Sequence, residues 1–278
     1  MHTLTTIKSL REAIELAHAE GQSIGLVPTM GALHAGHASL ISRSVSENDI
    51  TVVSVFVNPT QFNNPTDLAT YPRDLAADQR LLESLGVTYV FAPTPEEVYP
   101  EPDTRQFSYP PIDTVMEGAR RPGHFNGVCQ IVSKLFQWCE PTRAYFGEKD
   151  YQQIAVVRAM MRDQGFQFEL IPCPIMREES GLALSSRNAL LTEEERGIAV
   201  NISRILRESK EWSLGVEETR QRVINEINAI PQLEVEYYEI ADGTTLQPVA
   251  EWQADVVGCI TVYCGQRPVR LIDNIRYC

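Results

Sequence analysis

The chain has 278 residues with 43% hydrophobic and 8% aromatic content, enough to bury one large core or two modest ones and unlike disordered or fibrous proteins. Its formal net charge of −13 excludes a protein whose main work is gripping nucleic acid, because neutralising phosphates requires clustered Lys and Arg. No apolar run approaches the ~20 residues of a membrane span, and the N-terminus MHTLTTIKSLREAIELAHAEG carries charges throughout with no cleavage site after an apolar block, so a cytoplasmic location without a membrane partner is expected.

In chain order, residues 5–20 place Ile7, Leu10, Ile14 and Leu16 near helical spacing, with Gly21 as the stop. Ser23–Thr29 and Ile50–Val57 are short, β-rich apolar runs of the kind buried in parallel sheets, and 37–47 between them reads as helix. Helices near 73–85, 127–138 and 151–164 lead to strands at Val87–Phe91, Ala144–Phe146 and Phe168–Ile171. This alternation predicts an α/β fold with an open, doubly wound parallel sheet, whose ligands sit at the carboxyl ends of the strands. After about residue 180 the pattern changes. Thr192–Lys210 opens with a Thr-x-x-Glu capping box, a helix near 216–229 follows, and strands are expected near 233–240, 255–263 and 268–272. The predicted division is a larger α/β domain over 1–183 and a smaller α+β domain over 184–278, hinged between 174 and 188. The six cysteines, at 129, 139, 173, 259, 264 and 278, form no Cys-x-x-Cys pair and are expected to be reduced and mostly buried.

The segment VPTMGALHAGH, 27–37, leaves the first predicted apolar strand and runs into a helix. Gly31 and Gly36 admit close backbone approach, and the helix start presents N–H groups and a positive dipole end to an anion. His34 and His37 are placed to donate to one phosphate group as charge builds on it. The same spacing also suits a metal ion or a tight turn with two exposed imidazoles. FVNPTQF, 56–62, ends the next strand and offers Asn58 and Gln61 as uncharged ligands for hydroxyl and carboxylate oxygens. GEKD, 147–150, combines Gly147 with Glu148, Lys149 and Asp150 at another strand end, Lys149 being the natural phosphate partner. Ser185, Ser186 and Arg187 offer hydroxyl and guanidinium donors, or a helix cap. RRPGHF, 120–125, sets Arg121 and His124 around a Pro-Gly turn.

His34-Ala35-Gly36-His37 resembles the His-x-Gly-His signature of the nucleotidyltransferase superfamily. FVNPTQF, YPRDL (71–75), RRPGHFNGV (120–128), YFGEKDYQQ (145–153) and SGLALSSRN (180–188) together resemble the pantothenate synthetase family, in family order across about 30–190. The resemblance implies a Rossmann-like fold of nucleotidyltransferase type and an ATP-dependent ligase, cytoplasmic and homodimeric, that adenylates pantoate and transfers the acyl group to β-alanine. It assigns His34, His37, Lys149 and Arg187 to catalysis. Met30, Gly31, His34, Gly36, His37, Gly147, Glu148, Lys149, Asp150, Met176, Leu184, Ser185, Ser186 and Arg187 are assigned to ATP; Gln61, Gln153, Asn58, Arg121 and His124 to pantoate or β-alanine; and Asp150 to Mg²⁺. Ser180, Gln130, Thr66 and Ala69 depart from the family's usual residues without touching the catalytic set. Other adenylyl- or cytidylyltransferases, a nucleotide sensor without turnover and a metal-dependent hydrolase built on the His pair are the competing readings.

Overall fold

The computed structural model describes residues 1–277. The chain divides into two compact units: Met1–Tyr109 with Arg121–Glu148 and Val156–Pro174 form the first, and Pro110–Arg120, Lys149–Ala155 and the chain from Ile175 onward form the second. Thus 110–120 and 149–155 join the second unit from within the predicted first domain, and the last crossing falls at Pro174/Ile175, where the sequence reading drew 183/184.

The first unit is built on six parallel strands, β1 (His2–Leu4), β2 (Ile24–Thr29), β3 (Ile50–Val55), β4 (Tyr89–Phe91), β5 (Arg143–Gly147) and β6 (Glu169–Cys173), in the order β1-β4-β3-β2-β5-β6. Ile24, Leu26, Val27, Val52 and Val53 are fully or almost fully buried, the signature of central parallel strands covered on both faces. The direction of winding reverses between β2 and β5, which pair through Gly25↔Arg143 and Leu26↔Ala144. In open α/β sheets that reversal opens a ligand crevice beyond the carboxyl ends of the strands. The edge strand β1 pairs with β4 from His2↔Tyr89 to Leu4↔Phe91; at three residues it is too short for a periodic signal.

The helices follow local sequence. α1 (Ile7–Ala19) is capped by Thr6, whose hydroxyl accepts from Ser9 N–H, and it buries Leu10, Ile14 and Ala17, each large side chain contributing about 2 kcal/mol. Leu16, predicted on that face, is 58% exposed, because a step of two residues from Ile14 carries it to the helix's far side. α2 (Ala35–Glu47), α3 (Pro65–Thr70), α4 (Leu75–Ser84), α5 (Pro95–Val98), α6 (Met116–Arg120), α7 (His124–Cys139) and α8 (Tyr151–Gln164) complete the series. α7 starts three residues before the expected 127, directly after Gly123, which supplies the left-handed turn (φ 82°) at its entry.

In the second unit α9 (Glu193–Ser209) opens with the predicted Thr192–Glu195 capping box and α10 (Val216–Asn228) follows. The antiparallel sheet β7-β8-β9 comprises Leu233–Asp242, Val256–Cys264 and Val269–Arg276. Ile202, Ile205, Leu206, Val223 and Ile227 pack with Tyr238, Ile260 and Val262. The alternate residues Tyr237, Val257 and Cys259 cluster with Met116, Val115 and Tyr151. The sheet therefore takes α9 and α10 on one face and segments 110–120 and 149–155 on the other, which is why those segments belong to this unit. Among the described residues no helix is long and apolar enough to cross a membrane, and Cys129, Cys139, Cys173, Cys259 and Cys264 are buried; the expectation for Cys278 lies outside the described residues.

Candidate active site

Within the first unit the residues expected to meet a ligand gather at the carboxyl ends of β2, β3 and β5. Thr29, at the end of β2, is fastened to β3: its hydroxyl donates to Ser54 O at 2.6 Å and accepts from Gly31 N–H at 3.2 Å. Gly31 and Ala32 are both left-handed (φ 80° and 51°), and the N–H groups of Ala32 and Leu33 point at the carboxylate of Asp78 on α4.

His34 and His37 then close α2 as a reciprocal cap. His34 Nδ1 accepts from Gly36 N–H at 3.1 Å, and His37 Nδ1 accepts from His34 N–H at 3.4 Å. The rings lie 4.2 Å apart at 44°. An imidazole nitrogen that accepts carries no hydrogen, so in each neutral ring the hydrogen sits on Nε2. The helix start is thus less open than sequence reasoning expected: Gly36 N–H is satisfied by His34.

Around the end of β3 the amides interlock. Asn58 is fully buried; its Nδ2 donates to Gln61 Oε1 (3.2 Å) and to Gly127 O (3.0 Å), and its Oδ1 accepts from Tyr99 OH at 2.7 Å. Burial, first of all, pushes the Tyr99 hydroxyl above its ordinary pKa. Gln61 Nε2 is turned to Met30 Sδ at 3.0 Å. A Cβ at position 127 would collide with the Thr60 carbonyl, so Gly127 is what lets α7 lie against this loop. His124 is buried, with Nε2 facing Arg121 Nη1 at 3.2 Å and Nδ1 facing Gln61 O at 2.9 Å. Arginine only donates, so His124 Nε2 accepts and Nδ1–H donates to the Gln61 carbonyl. Both ring nitrogens of His124 therefore meet protein atoms, and the ring links Arg121 to the Gln61 carbonyl. Gly147 and Glu148 complete this unit's set at the end of β5, both half-buried.

Within the second unit Lys149 and Asp150 form a short turn before α8. Lys149 Nζ lies 3.8 Å from Asp150 Oδ2, and the lysine side chain is 18% exposed against 51% for the aspartate. Asn274 donates to Lys149 O at 3.1 Å, tying the turn to β9. Gln153 is half-buried on the first turn of α8. Its neighbour Gln152 is buried and bonded to Ile112 O, Val115 O and Glu117 N–H, a scaffold role that separates two adjacent glutamines. Leu184 N–H donates to Met176 O at 2.9 Å, so these two residues face each other across a small hairpin braced by the bidentate Arg177–Asp273 pair (2.7 and 2.9 Å). Ser185 caps the turn Ser186–Leu190 by accepting from Arg187 N–H at 3.2 Å. The capping alternative therefore holds for Ser185, whose hydroxyl hydrogen still has to be donated elsewhere. Sequence reading missed Asp78, Tyr99 and Gln152; of these only Asp78, an acidic residue amid the apolar positions of an amphipathic helix, left a trace.

Among the described residues no three His, Cys, Asp or Glu converge as ligands for a metal ion, and the Nδ1 atoms of His34 and His37 face backbone N–H groups. A parallel sheet with its His-x-Gly-His loop at the switch point is the α/β fold of nucleotidyltransferase type. A family model described as pantoate-beta-alanine ligase matches residues 2–276. The chain belongs to the pantoate–β-alanine ligase family and is a ligase that makes pantothenate. It is 61% identical to the pantothenate synthetase of Bacteroides fragilis (strain YCH46), covering 100% of this chain and 99% of the relative, and 56% identical to that of Porphyromonas gingivalis (strain W83) with the same coverage. The pantothenate synthetase structure from Thermus thermophilus matches with a TM-score of 0.93 at 43% identity, covering 100% of this chain and 99% of that one. The Francisella tularensis pantoate-beta-alanine ligase, complexed with beta-gamma ATP and beta-alanine, matches with a TM-score of 0.85 at 38% identity over 100% and 98% of the two chains.

Proposed function

We propose that this chain condenses pantoate with β-alanine at the cost of ATP, by way of a pantoyl adenylate, and that His34 and His37 are its principal phosphate donors in the first unit. The observation that carries this reading is the reciprocal cap, which engages Nδ1 of both rings with backbone N–H groups and so puts the hydrogen of each neutral ring on Nε2, in a loop at the sheet's switch point. The family membership and the ligands named for the Francisella relative support the substrates.

A carboxylate is a poor acyl donor until one oxygen becomes part of a good leaving group. In the first half-reaction a pantoate carboxylate oxygen attacks the α-phosphorus of ATP and pyrophosphate departs. His34 and His37 stabilise the charge that develops, an effect worth more in the transition state than in the bound substrate. Met30, Gly31, Gly36, Gly147 and Glu148 of the first unit, and Lys149, Asp150, Met176, Leu184, Ser185, Ser186 and Arg187 of the second, are assigned to ATP. Lys149 and Arg187 bring the positive charge that a chain of net charge −13 must place deliberately. Gln61 and Gln153 hold pantoate. Asn58, Arg121 and His124 act on substrate through Gln61, whose amide and carbonyl they fix. In the second half-reaction the neutral amine of β-alanine attacks the acyl carbon and AMP leaves, a step that depends on positioning and exclusion of water.

Mg²⁺ is bound reluctantly by all-protein cages and readily by one or two carboxylates together with phosphates and water. The exposed carboxylate of Asp150 fits that pattern. The ion would neutralise phosphate charge. We assign the chain to the cytoplasm and to a homodimer on the same family grounds.

The test is a complete reaction: purified protein with ATP, Mg²⁺, pantoate and β-alanine, with products resolved by mass spectrometry. Equal amounts of pantothenate and AMP are expected. ADP as the nucleotide product, or ATP bound without turnover, contradicts the reading.

A further inference from the structure

Asp78 sits in the first turn of α4 and is 4% exposed. A carboxylate is seldom found there unless its oxygens are met by donors. The signature loop supplies them: Oδ2 accepts from Ala32 N–H at 3.0 Å and Oδ1 from Leu33 N–H at 2.8 Å. The backbone so held is one that side chains resist, since Ala32 has φ 51° directly after Gly31 at φ 80°, and a left-handed alanine is strained. A Cβ on residue 31 would stand 2.8 Å from Asp78 Oδ2 and 3.0 Å from Val55 Cγ1, so glycine, carboxylate and strand end fit as a unit. Leu82, four residues on along the same helix, is fully buried and fixes α4 in place.

We propose that Asp78 is a positioning residue for adenylation: it holds the left-handed Gly31–Leu33 turn and thereby sets where His34 and His37 present Nε2. The inference rests on the assignment of that histidine pair to the phosphates of ATP. Successive N–H groups of this kind form a cradle for an anion, and here the chain fills the cradle with its own carboxylate, beside the positive end of α4. The nucleotide is left to the histidine rings that follow. Because those rings are themselves held by backbone N–H groups of residues 34 and 36, a shift of the turn moves both rings and loosens the cap that fixes their tautomers.

The experiment compares the parent with Asp78→Asn, which keeps size and replaces one acceptor oxygen with an NH₂ group facing a backbone N–H. The single-turnover rate constant for pantoate adenylation does not depend on the folded fraction, and it is expected to fall at least tenfold. The imidazole ¹⁵N signals of His34 and His37, recorded without substrate, are expected to lose their uniform Nε2–H form. Ala32→Gly removes the strain of the turn, so the double variant regains part of the rate. A parent-like rate and parent-like tautomers in Asp78→Asn overturn the proposal; so does a loss that Ala32→Gly fails to relieve while the tautomers stay unchanged, which is the behaviour of a residue that only stabilises α4. Independently of any variant, the Ala32 and Leu33 amides of the parent are expected to resist hydrogen exchange, and exchange at the rate of open loops also overturns it. A parent without pantoate-dependent adenylation removes the functional assignment instead, and the tautomer and exchange data then judge the hold of Asp78 on the loop by themselves.

Discussion

Arg270 on β9 grips Glu117 on α6 with hydrogen bonds of 2.8 and 2.7 Å, and the same guanidinium reaches Glu236 on β7 at 2.9 and 2.6 Å. The three side chains are 17%, 12% and 17% exposed. One cation among two carboxylates leaves negative charge to be shared, and neutral donors take it up: Tyr237 OH and Thr261 Oγ1 donate to Glu117 at 2.8 and 3.0 Å, and Tyr263 OH to Glu236 at 3.1 Å. Burial works against the charge on Arg270, yet its bonds to Glu117 and then Glu236 hold its pKa above the ordinary value. The cluster fastens α6, the segment leading to Arg121 and His124, onto the sheet.

Replacing Arg270 with Met strands two carboxylates in a nearly buried place. Breaking such a pair costs about 3–5 kcal/mol, and denaturant unfolding should show a loss of that size. A loss within about 0.5 kcal/mol, the range of an ordinary surface substitution, would mean the cluster is solvated in solution.

Acid stability should depend on Asp103. The Arg105 guanidinium bonds its carboxylate at 2.7 Å and, with Lys134 adding to the effect, holds its pKa at about 2, against 3.8 for an unperturbed group. A depressed pKa stabilises the fold above the unfolded value and ceases to do so as pH falls through the folded one. The difference in stability between parent and Asp103→Asn should therefore be constant above about pH 5, near 2 kcal/mol, and shrink between about pH 4 and pH 2. A difference that grows on acidification contradicts the assignment. Gln130 belongs to the same network, its Nε2 donating to Asp103 O and Arg105 O at 3.0 and 2.9 Å.

His37→Ala should slow adenylation by ~10²–10³-fold, the scale of one lost transition-state donor, with the circular dichroism spectrum unchanged. It also removes the acceptor for His34 N–H, so a loss of about 1 kcal/mol in stability accompanies it. Near-parental turnover would take His37 out of the chemistry.

Gln61→Ala and His124→Ala should act on the same kinetic constant. If His124 serves by holding the Gln61 carbonyl, both variants raise KM for pantoate more than KM for ATP, and the double variant is less than additive. Full additivity, or an effect of His124→Ala confined to ATP, would separate the two residues.

How much of this was legible in sequence follows from the range of each interaction. β2, β3, α9 and the strands β7–β9 announce themselves, because burial on both faces or on alternate residues writes a local pattern. β1 writes none in three residues, and α6 is too short to show a period. The 110–120 and 149–155 segments join the second unit because Met116 and Tyr151 pack on the sheet face of Val257 and Cys259, contacts more than a hundred residues apart. At the candidate site the residues proposed to meet anions stand out by chemistry and family order. The supporting contacts are harder to read: Asp78 leaves only the trace of an acidic residue amid the apolar positions of α4, and the contacts of both His124 ring nitrogens with protein atoms come from residues distant in sequence or across a turn.

The most direct test of the central claim is exchange of labelled pyrophosphate into ATP by the purified protein with Mg²⁺, with β-alanine omitted and pantoate present or absent. Exchange that requires pantoate and is lost in His37→Ala is the expected result, since it reports the adenylate half-reaction and the donor assigned to it. Exchange equal with and without pantoate, or none from folded protein that binds ATP, would contradict the account.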